Sequence, residues 1–166
     1  MATTKAPVRP VRPLGMVLTL AGTALVLASI VGLDWYAVDG GADSAGSGFG
    51  YHELFHNVEQ LGGLPVARAY FTWLAPVLLM AVTMLGVVAN VVSPISDWLR
   101  FLGFLAGVAG TAATYYAVDQ LFHAQRLAGG SGSVWHNSTF GLWAALGGFL
   151  IAGVGAYAGP RQEARR

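Results

Sequence analysis

The chain has 166 residues, of which 55% are hydrophobic and only 10% are charged. A typical soluble domain carries about 25% charged residues, so this composition excludes an ordinary soluble protein and favours lipid as the solvent. The formal net charge of +1 excludes the broad basic surface that nucleic-acid binding requires. Because there is no cysteine, disulfides, thiolate metal sites and cysteine nucleophiles are excluded as well.

Four stretches are long and apolar enough to span a bilayer, which takes about 20 mostly apolar residues. They cover residues 14–33, 70–92, 98–122 and 140–158. The remaining segments are a first outer loop, an inner turn, a second outer loop and a tail, at residues 34–69, 93–97, 123–139 and 159–166. We therefore predict one all-α membrane domain, a bundle of four transmembrane helices.

The basic residues predict how this bundle is oriented, because lysine and arginine concentrate in cytoplasmic loops. Two of them, Arg68 and Arg126, fall on one predicted side of the membrane. The other seven fall on the opposite side: Lys5, Arg9, Arg12, Arg100, Arg161, Arg165 and Arg166. The sequence thus predicts a multi-pass protein of the plasma (inner) membrane with both termini in the cytoplasm.

Small residues recur along the fourth predicted helix at steps of three and four. They are Gly141, Ala145, Gly148, Ala152, Gly155 and Gly159. The third predicted helix carries a GxxxG pair, Gly103 and Gly107. Since lipid tails are as apolar as leucine, membrane helices associate where small residues let their backbones approach. We expect a tight interface along the fourth helix, formed either within the chain or with another protein.

All four histidines fall on the predicted outer side, and two of them form an H-E-x-x-H pattern, His52-Glu53-Leu54-Phe55-His56. On a helix this spacing puts both imidazoles on one face, where they can bind Zn²⁺ with the glutamate as general base. Asp119 and His123 repeat the i, i+4 spacing at the outer end of the third helix. The candidate metal ligands are therefore His52, His56, Asp119 and His123, for Zn or Cu.

The same segment also has a purely structural interpretation. Its apolar residues recur with helical spacing at Tyr51, Leu54, Phe55, Val58 and Leu61, and a Gly62-Gly63 pair follows. This pattern predicts a short amphipathic helix in the first outer loop, which lies on the bilayer surface or caps the bundle with its histidines on the wet face. The loop is too short to build the cleft of a metalloprotease.

Aromatic residues and one proline mark the ends of the predicted helices. Tryptophan and tyrosine at these positions are typical of interfacial anchoring: Trp35, Tyr36, Tyr70, Trp73, Trp98, Trp135 and Trp143. Pro76 has no N–H to donate to the carbonyl of Thr72, so we predict a bend in the second helix there. No Lys, Arg, Asp or Glu lies at mid-bilayer depth, which argues against a transporter or pump acting alone.

Leu33-Asp34-Trp35-Tyr36 closes the first helix, a Gly/Ser-rich outer loop follows, and the tail ends in arginines. In this layout the chain resembles small four-helix membrane proteins of actinobacteria, some of which look like accessory subunits of envelope or respiratory complexes. We expect a non-catalytic accessory subunit without a cofactor, whose partners are membrane lipids and a larger membrane complex or further copies of itself. The alternative is an outward-facing metal-binding or metal-dependent protein that uses His52, Glu53 and His56.

Overall fold

The computed structural model describes residues 13–38, 47–61, 64–91, 97–127 and 137–158. Its helices are α1 (Pro13–Gly32), α2 (Tyr51–Leu61), α3 (Pro65–Ala69), α4 (Ala75–Val91), α5 (Asp97–Leu127) and α6 (Phe140–Tyr157), and its strands are β1 (Asp34–Val38) and β2 (Ser47–Gly50). A π-helical turn, Tyr70–Leu74, joins α3 to α4, so that these three pieces form one helix, called the α3–α4 helix below. Residues 93–96 of the predicted inner turn (93–97), the tail at 159–166, Trp135 and His136 lie outside the described residues, and Asp97 is the first residue of α5.

Among the described residues, four helices are long and apolar enough to cross a membrane: α1, the α3–α4 helix, α5 and α6. The protein is therefore a multi-pass helical bundle suited to a membrane. The second of these helices begins at Pro65 rather than at the predicted residue 70, because proline is well accommodated in the first helical turn, where no N–H is needed. The third continues past residue 122 to Leu127.

Helix α6 lies at the centre of the bundle. In its spanning window 61% of the residues are buried, against 28–33% for the other three helices, and it packs on α1, α4 and α5. The glycines and alanines of α6 allow it to occupy this central position, because small side chains let three neighbouring backbones approach at once. The other three helices turn large apolar side chains outward, as expected where lipid is the solvent.

Helices α1 and α6 approach each other closely at Gly148. A Cβ atom added there would lie 2.7 Å from Cγ2 of Val26, 2.8 Å from the carbonyl oxygen of Gly22 and 3.0 Å from the backbone nitrogen of Val26. Two of these three atoms belong to the backbone of α1 and cannot move without displacing that helix. Only glycine allows the two helices to meet at this distance.

Polar side chains add hydrogen bonds between the spanning helices. Asn90 of α4 donates from Nδ2 to the carbonyl oxygens of Gly86 (2.7 Å) and of Gly155 in α6 (3.2 Å). The hydroxyls of Thr23 in α1 and Thr83 in α4 lie 2.9 Å apart. Such bonds between membrane helices typically contribute about 0.6 kcal/mol and at most about 2 kcal/mol. Asn90 therefore links α4 to α6 at the end of the bundle that contains the start of α1.

The proline that predicts a bend follows the π-helical turn directly. The N–H of Ala75 donates to the carbonyl of Tyr70, five residues earlier, and Pro76 has no N–H to donate. The hydroxyl of Thr72 donates to the carbonyl oxygen of Arg68 at 2.7 Å. The irregular backbone thus lies at one end of the bundle, where Tyr70 and Phe71 are buried.

Candidate functional site

A small folded unit covers the end of the bundle at which α1 finishes and α6 starts. Strands β1 and β2 pair antiparallel, with Tyr36 opposite Phe49. The other edge of β1 binds residues 137–139: the N–H of Ala37 donates to the carbonyl of Asn137 (3.0 Å), and that of Thr139 to the carbonyl of Trp35 (3.1 Å). We call β1, β2, α2 and residues 137–139 the cap. The sequence predicts the helix of the cap but not its strands.

Trp35 is the central residue beneath the cap. It is 1% exposed, its Nε1–H donates to the carbonyl oxygen of Ser29 at 2.9 Å, and its ring lies 5.5 Å from that of Tyr51 and 5.9 Å from that of Phe71. The prediction that Trp35 and Tyr70 anchor the protein in the membrane interface is wrong, since both are 1% exposed. Pairing on both edges of β1 turns the Trp35 ring inward onto the bundle.

Helix α2 covers the residues whose spacing predicts an amphipathic helix. Leu54 and Val58 are buried in the same core as Trp35, whereas His52 and His56 are exposed. A carboxylate oxygen of Glu53 accepts a hydrogen bond from the backbone N–H of Gly50 at 3.0 Å, which is half of a capping box at the start of α2. The glutamate of the H-E-x-x-H pattern thus stabilises the helix N-terminus in this structure.

Tyr51 connects α2 to the π-helical turn. Its hydroxyl donates to the carbonyl oxygen of Phe71 at 2.9 Å and lies 3.4 Å from that of Tyr70. Because the phenol is mostly removed from water, burial raises the pKa of Tyr51 to about 12. Only the neutral phenol can donate to the carbonyl oxygen of Phe71, so the attachment of α2 depends on it.

This attachment predicts how stability changes at alkaline pH. The pKa of Tyr51 is higher in the folded protein than in the unfolded chain. The contribution of its neutral phenol to the free energy of unfolding is therefore complete below pH of about 10 and is lost as the pH rises through about 12. We expect Tyr51→Phe to unfold more easily at neutral pH, by about 0.5–1.5 kcal/mol for the lost hydrogen bond, and to lose less further stability over that alkaline range. Denaturant titrations in detergent at a series of pH values measure both effects. Tyr116→Phe, at an exposed position, is the matched control and should keep the wild-type pH profile.

The four candidate metal ligands form two pairs. The Nε2 atoms of His52 and His56 lie 3.2 Å apart. On α5, Nδ1 of His123 lies 3.5 Å from a carboxylate oxygen of Asp119. Within the described residues no three His, Cys, Asp or Glu side chains are grouped to hold one metal ion. His52 also borders a cavity of about 180 Å³, together with Asp34 and Glu53, at the junction of α1 and α2.

The predicted packing residues lie inside the chain's own bundle. On α6, Gly141 is close to Asp34, Gly148 to Val26 of α1, and Gly155 to Thr19 of α1, while Ala145 and Ala152 are buried. On α5, Gly103 lies against Ala156 and Gly107 against Gly153. The small-residue stripe of α6 therefore packs against α1 and β1, while α5 packs against the neighbouring residues Gly153 and Ala156, which leaves other surfaces for partners.

An apolar groove, which the sequence did not predict, lies between α5 and α6. Its volume is about 720 Å³. Its lining includes the small side chain of Ala112 and the larger side chains of Tyr116 and Trp143.

Comparison of the chain with protein-family models, with curated proteins and with solved structures gives no match. The candidate sites are therefore defined by the geometry of this chain alone. They are the exposed polar face of α2 on the cap, with its histidine pair, and the groove between α5 and α6.

Proposed function

We propose that the protein is a non-catalytic accessory subunit of a larger membrane complex, and that the exposed face of its cap is the surface that contacts the partner. One observation supports this most: the cap and the spanning helices share a single hydrophobic core. Trp35 of β1 and Leu54 of α2 pack with Leu121 of α5 and Leu142 of α6 in that core. A surface held in one shape before binding loses little conformational entropy when a partner docks, which favours recognition.

The surface itself is polar and lies on α2. Its exposed side chains are His52, Glu53, His56, Glu59 and Gln60. It contains carboxylates and imidazoles but no lysine or arginine, so it is poorly suited to anionic lipid headgroups and better suited to protein. A partner with basic or hydrogen-bonding groups outside the bilayer is the best match.

A site-specific crosslinking experiment tests this proposal. A photoreactive amino acid at Glu59, in the exposed face of α2, should give one discrete adduct in native membranes, whose protein component mass spectrometry then identifies. The same amino acid at Val17, which is exposed on α1 near the end away from the cap, is the matched control and should give none. Replacing Glu59 and Gln60 by alanine should weaken co-migration with the adducted protein on native gels. Crosslinking that is equal at both positions, or a chain that migrates alone, would contradict the proposal.

We further propose that this complex lies in the plasma (inner) membrane, with the cap outside the cell and both termini in the cytoplasm. Helix α1 starts and α6 ends away from the cap, so both terminal segments emerge on that side. These segments hold six of the nine basic residues, and Arg100 lies near the start of α5 on the same side. A fluorescent protein fused to the C-terminus should fluoresce, and alkaline phosphatase inserted at Gly46 should be active; the reverse pattern would overturn the orientation.

The second candidate function is metal binding at the cap, and the distance between His52 and His56 favours it. Zinc binds imidazole nitrogen at about 2.0–2.1 Å in tetrahedral geometry, which separates two such ligands by about 3.3 Å. The 3.2 Å between the two Nε2 atoms is close to that separation. Solvent or a partner's side chain would complete the coordination of such an ion.

Metal analysis of the purified protein distinguishes the two functions. A metal-binding cap predicts about one Zn or Cu per chain after reconstitution, lost when His52 and His56 are both replaced by alanine, because each supplies one of the two close nitrogens. His123→Ala, which alters the other pair, is the control and should leave the metal content unchanged. Equal metal content in wild type and in the double variant would exclude this site.

A further inference from the structure

The groove between α5 and α6 faces away from the bundle and is almost wholly apolar. Its residues come from one short stretch of each helix: Val108, Thr111, Ala112, Tyr115 and Tyr116 of α5, and Trp143, Leu146 and Leu150 of α6. Thr111 lies between the two helices and donates its hydroxyl to the carbonyl oxygens of Gly107 (3.2 Å) and Leu146 (3.1 Å). Its polar atom is thus used within the protein, and the surface presented outward is hydrocarbon and aromatic.

All residues that line the groove lie on the cap side of Gly107 and Gly153, where α5 and α6 are in close contact. A Cβ atom added to Gly107 would lie 2.6 Å from the carbonyl oxygen of Phe149 and 2.7 Å from Cα of Gly153. Farther from the cap, the rings of Phe104 and Tyr157 lie 6.0 Å apart. The lined part of the groove therefore begins beside the contact at Gly107 and extends toward the cap.

The length of the groove can be compared with the thickness of a bilayer. Leu150, the lining residue of α6 farthest from the cap, lies ten residues after Phe140, the first residue of α6. At about 1.5 Å per residue this places Leu150 about 15 Å below the start of the helix, half of a hydrocarbon core about 30 Å thick. The groove thus occupies one leaflet, the leaflet on the cap side.

We propose that this groove binds one acyl chain of a phospholipid from the cap-side leaflet. The chain would lie along Ala112 and Leu150, and the headgroup would sit near Trp143, at the level where tryptophan and tyrosine rings are found in membranes. The indole N–H of Trp143 lies 3.2 Å from the hydroxyl oxygen of Ser138, which orients the ring at the edge of the groove. This inference goes beyond the accessory function proposed above and does not depend on it.

A protein occupant fits the groove less well. A transmembrane helix from a partner would extend about 30 Å, whereas the residues that line the groove cover about one leaflet. A stable interface between two copies takes about 20–30 residues on each side, whereas eight residues line the groove. The dimensions favour a single hydrocarbon chain.

Filling the groove tests the proposal. Ala112→Phe places a ring in it, and Ala109→Phe, at an exposed position of the same helix outside the groove, is the matched control. Native mass spectrometry of protein purified from phosphatidylethanolamine and phosphatidylglycerol vesicles should show one retained lipid on wild type and on Ala109→Phe. On Ala112→Phe we expect retention to fall at least about tenfold, which corresponds to about 1.4 kcal/mol. Equal retention in all three proteins would overturn the proposal.

A second measurement on the wild-type chain does not depend on how the variants fold. Vesicles containing a phospholipid with a photoreactive acyl chain are irradiated, and the labelled peptides are mapped by mass spectrometry. Label should concentrate on residues 108–116 and 143–150, about tenfold above the exposed face of α4 around Met84, as expected for a bound rather than a passing lipid. Equal labelling of both faces, or a crosslink of the groove to a second copy or to another protein, would overturn the proposal.

Discussion

Replacing Trp35 by alanine should lower the free energy of unfolding by about 3–5 kcal/mol, the usual cost of truncating a buried tryptophan. The Trp35 ring contacts the rings of Tyr51, Tyr70 and Phe71, and its N–H bonds the end of α1. Because these neighbours belong to three different elements, the cavity would loosen the cap as well as the bundle. Unfolding in mixed detergent micelles, followed by circular dichroism, measures the loss.

Two further variants serve as controls for Trp35→Ala. Trp73→Ala removes the same side chain from a position that is 53% exposed, and should cost much less. Trp35→Phe keeps a ring but loses the hydrogen bond to Ser29, worth about 0.5–1.5 kcal/mol. Proteolysis within α2 should be faster in Trp35→Ala than in either of them. If Trp35→Ala and Trp73→Ala were equally stable, the shared core of cap and bundle would be refuted.

Replacing Gly148 by alanine, which exchanges one hydrogen for a methyl group, should lower the free energy of unfolding by about 1–3 kcal/mol because of overpacking. The added carbon would meet backbone atoms of Gly22 and Val26 at 3.0 Å or less, so α1 would have to move away from α6. Separating these helices would also disturb Val26, which is buried beside Phe149 and Ala152. Thermal unfolding in detergent provides the comparison with wild type.

The preceding residue of the same helix supplies the control for this exchange. A Cβ atom on Gly147 would meet no atom within 4 Å. Gly147→Ala should therefore leave stability unchanged or raise it slightly, because alanine is a better helix former than glycine. A loss of equal size at both positions would mean that glycine acts through helix propensity, and the close contact between α1 and α6 would not explain the result.

The two candidate sites, the exposed face of the cap and the groove between α5 and α6, lie at different positions along the bundle. The cap combines a buried aromatic cluster with an exposed face of carboxylates and imidazoles, whereas the groove between α5 and α6 offers hydrocarbon and aromatic surface within one leaflet. A bound lipid would fill a gap in the bundle's outer surface, and the cap would contact protein. An accessory subunit with both features would join a complex partly through its cap and partly through lipid.

The sequence predicted some of the contacts of the candidate metal ligands but not others. Spacing placed His52 and His56 on one face of a helix, and in the structure their Nε2 atoms are 3.2 Å apart. Spacing could not reveal that Glu53 bonds the backbone of Gly50, because that bond depends on the strand β2 that precedes α2. Asp119 and His123 likewise pair with each other on α5, but sequence periodicity carries no information on distances between separate helices.

The sequence by itself determined the membrane helices and the helix of the cap, because both depend on local patterns: about 20 apolar residues in a row, or apolar residues at every third or fourth position. The positions of Trp35 and of the groove were decided only by tertiary structure. Trp35 is buried because β1 pairs with residues 137–139, about a hundred positions away along the chain. The groove lies on the cap side of the contact between Gly107 of α5 and Gly153 of α6, and both helices contribute residues to its lining. Both depend on contacts between distant segments, which no local pattern of residues encodes.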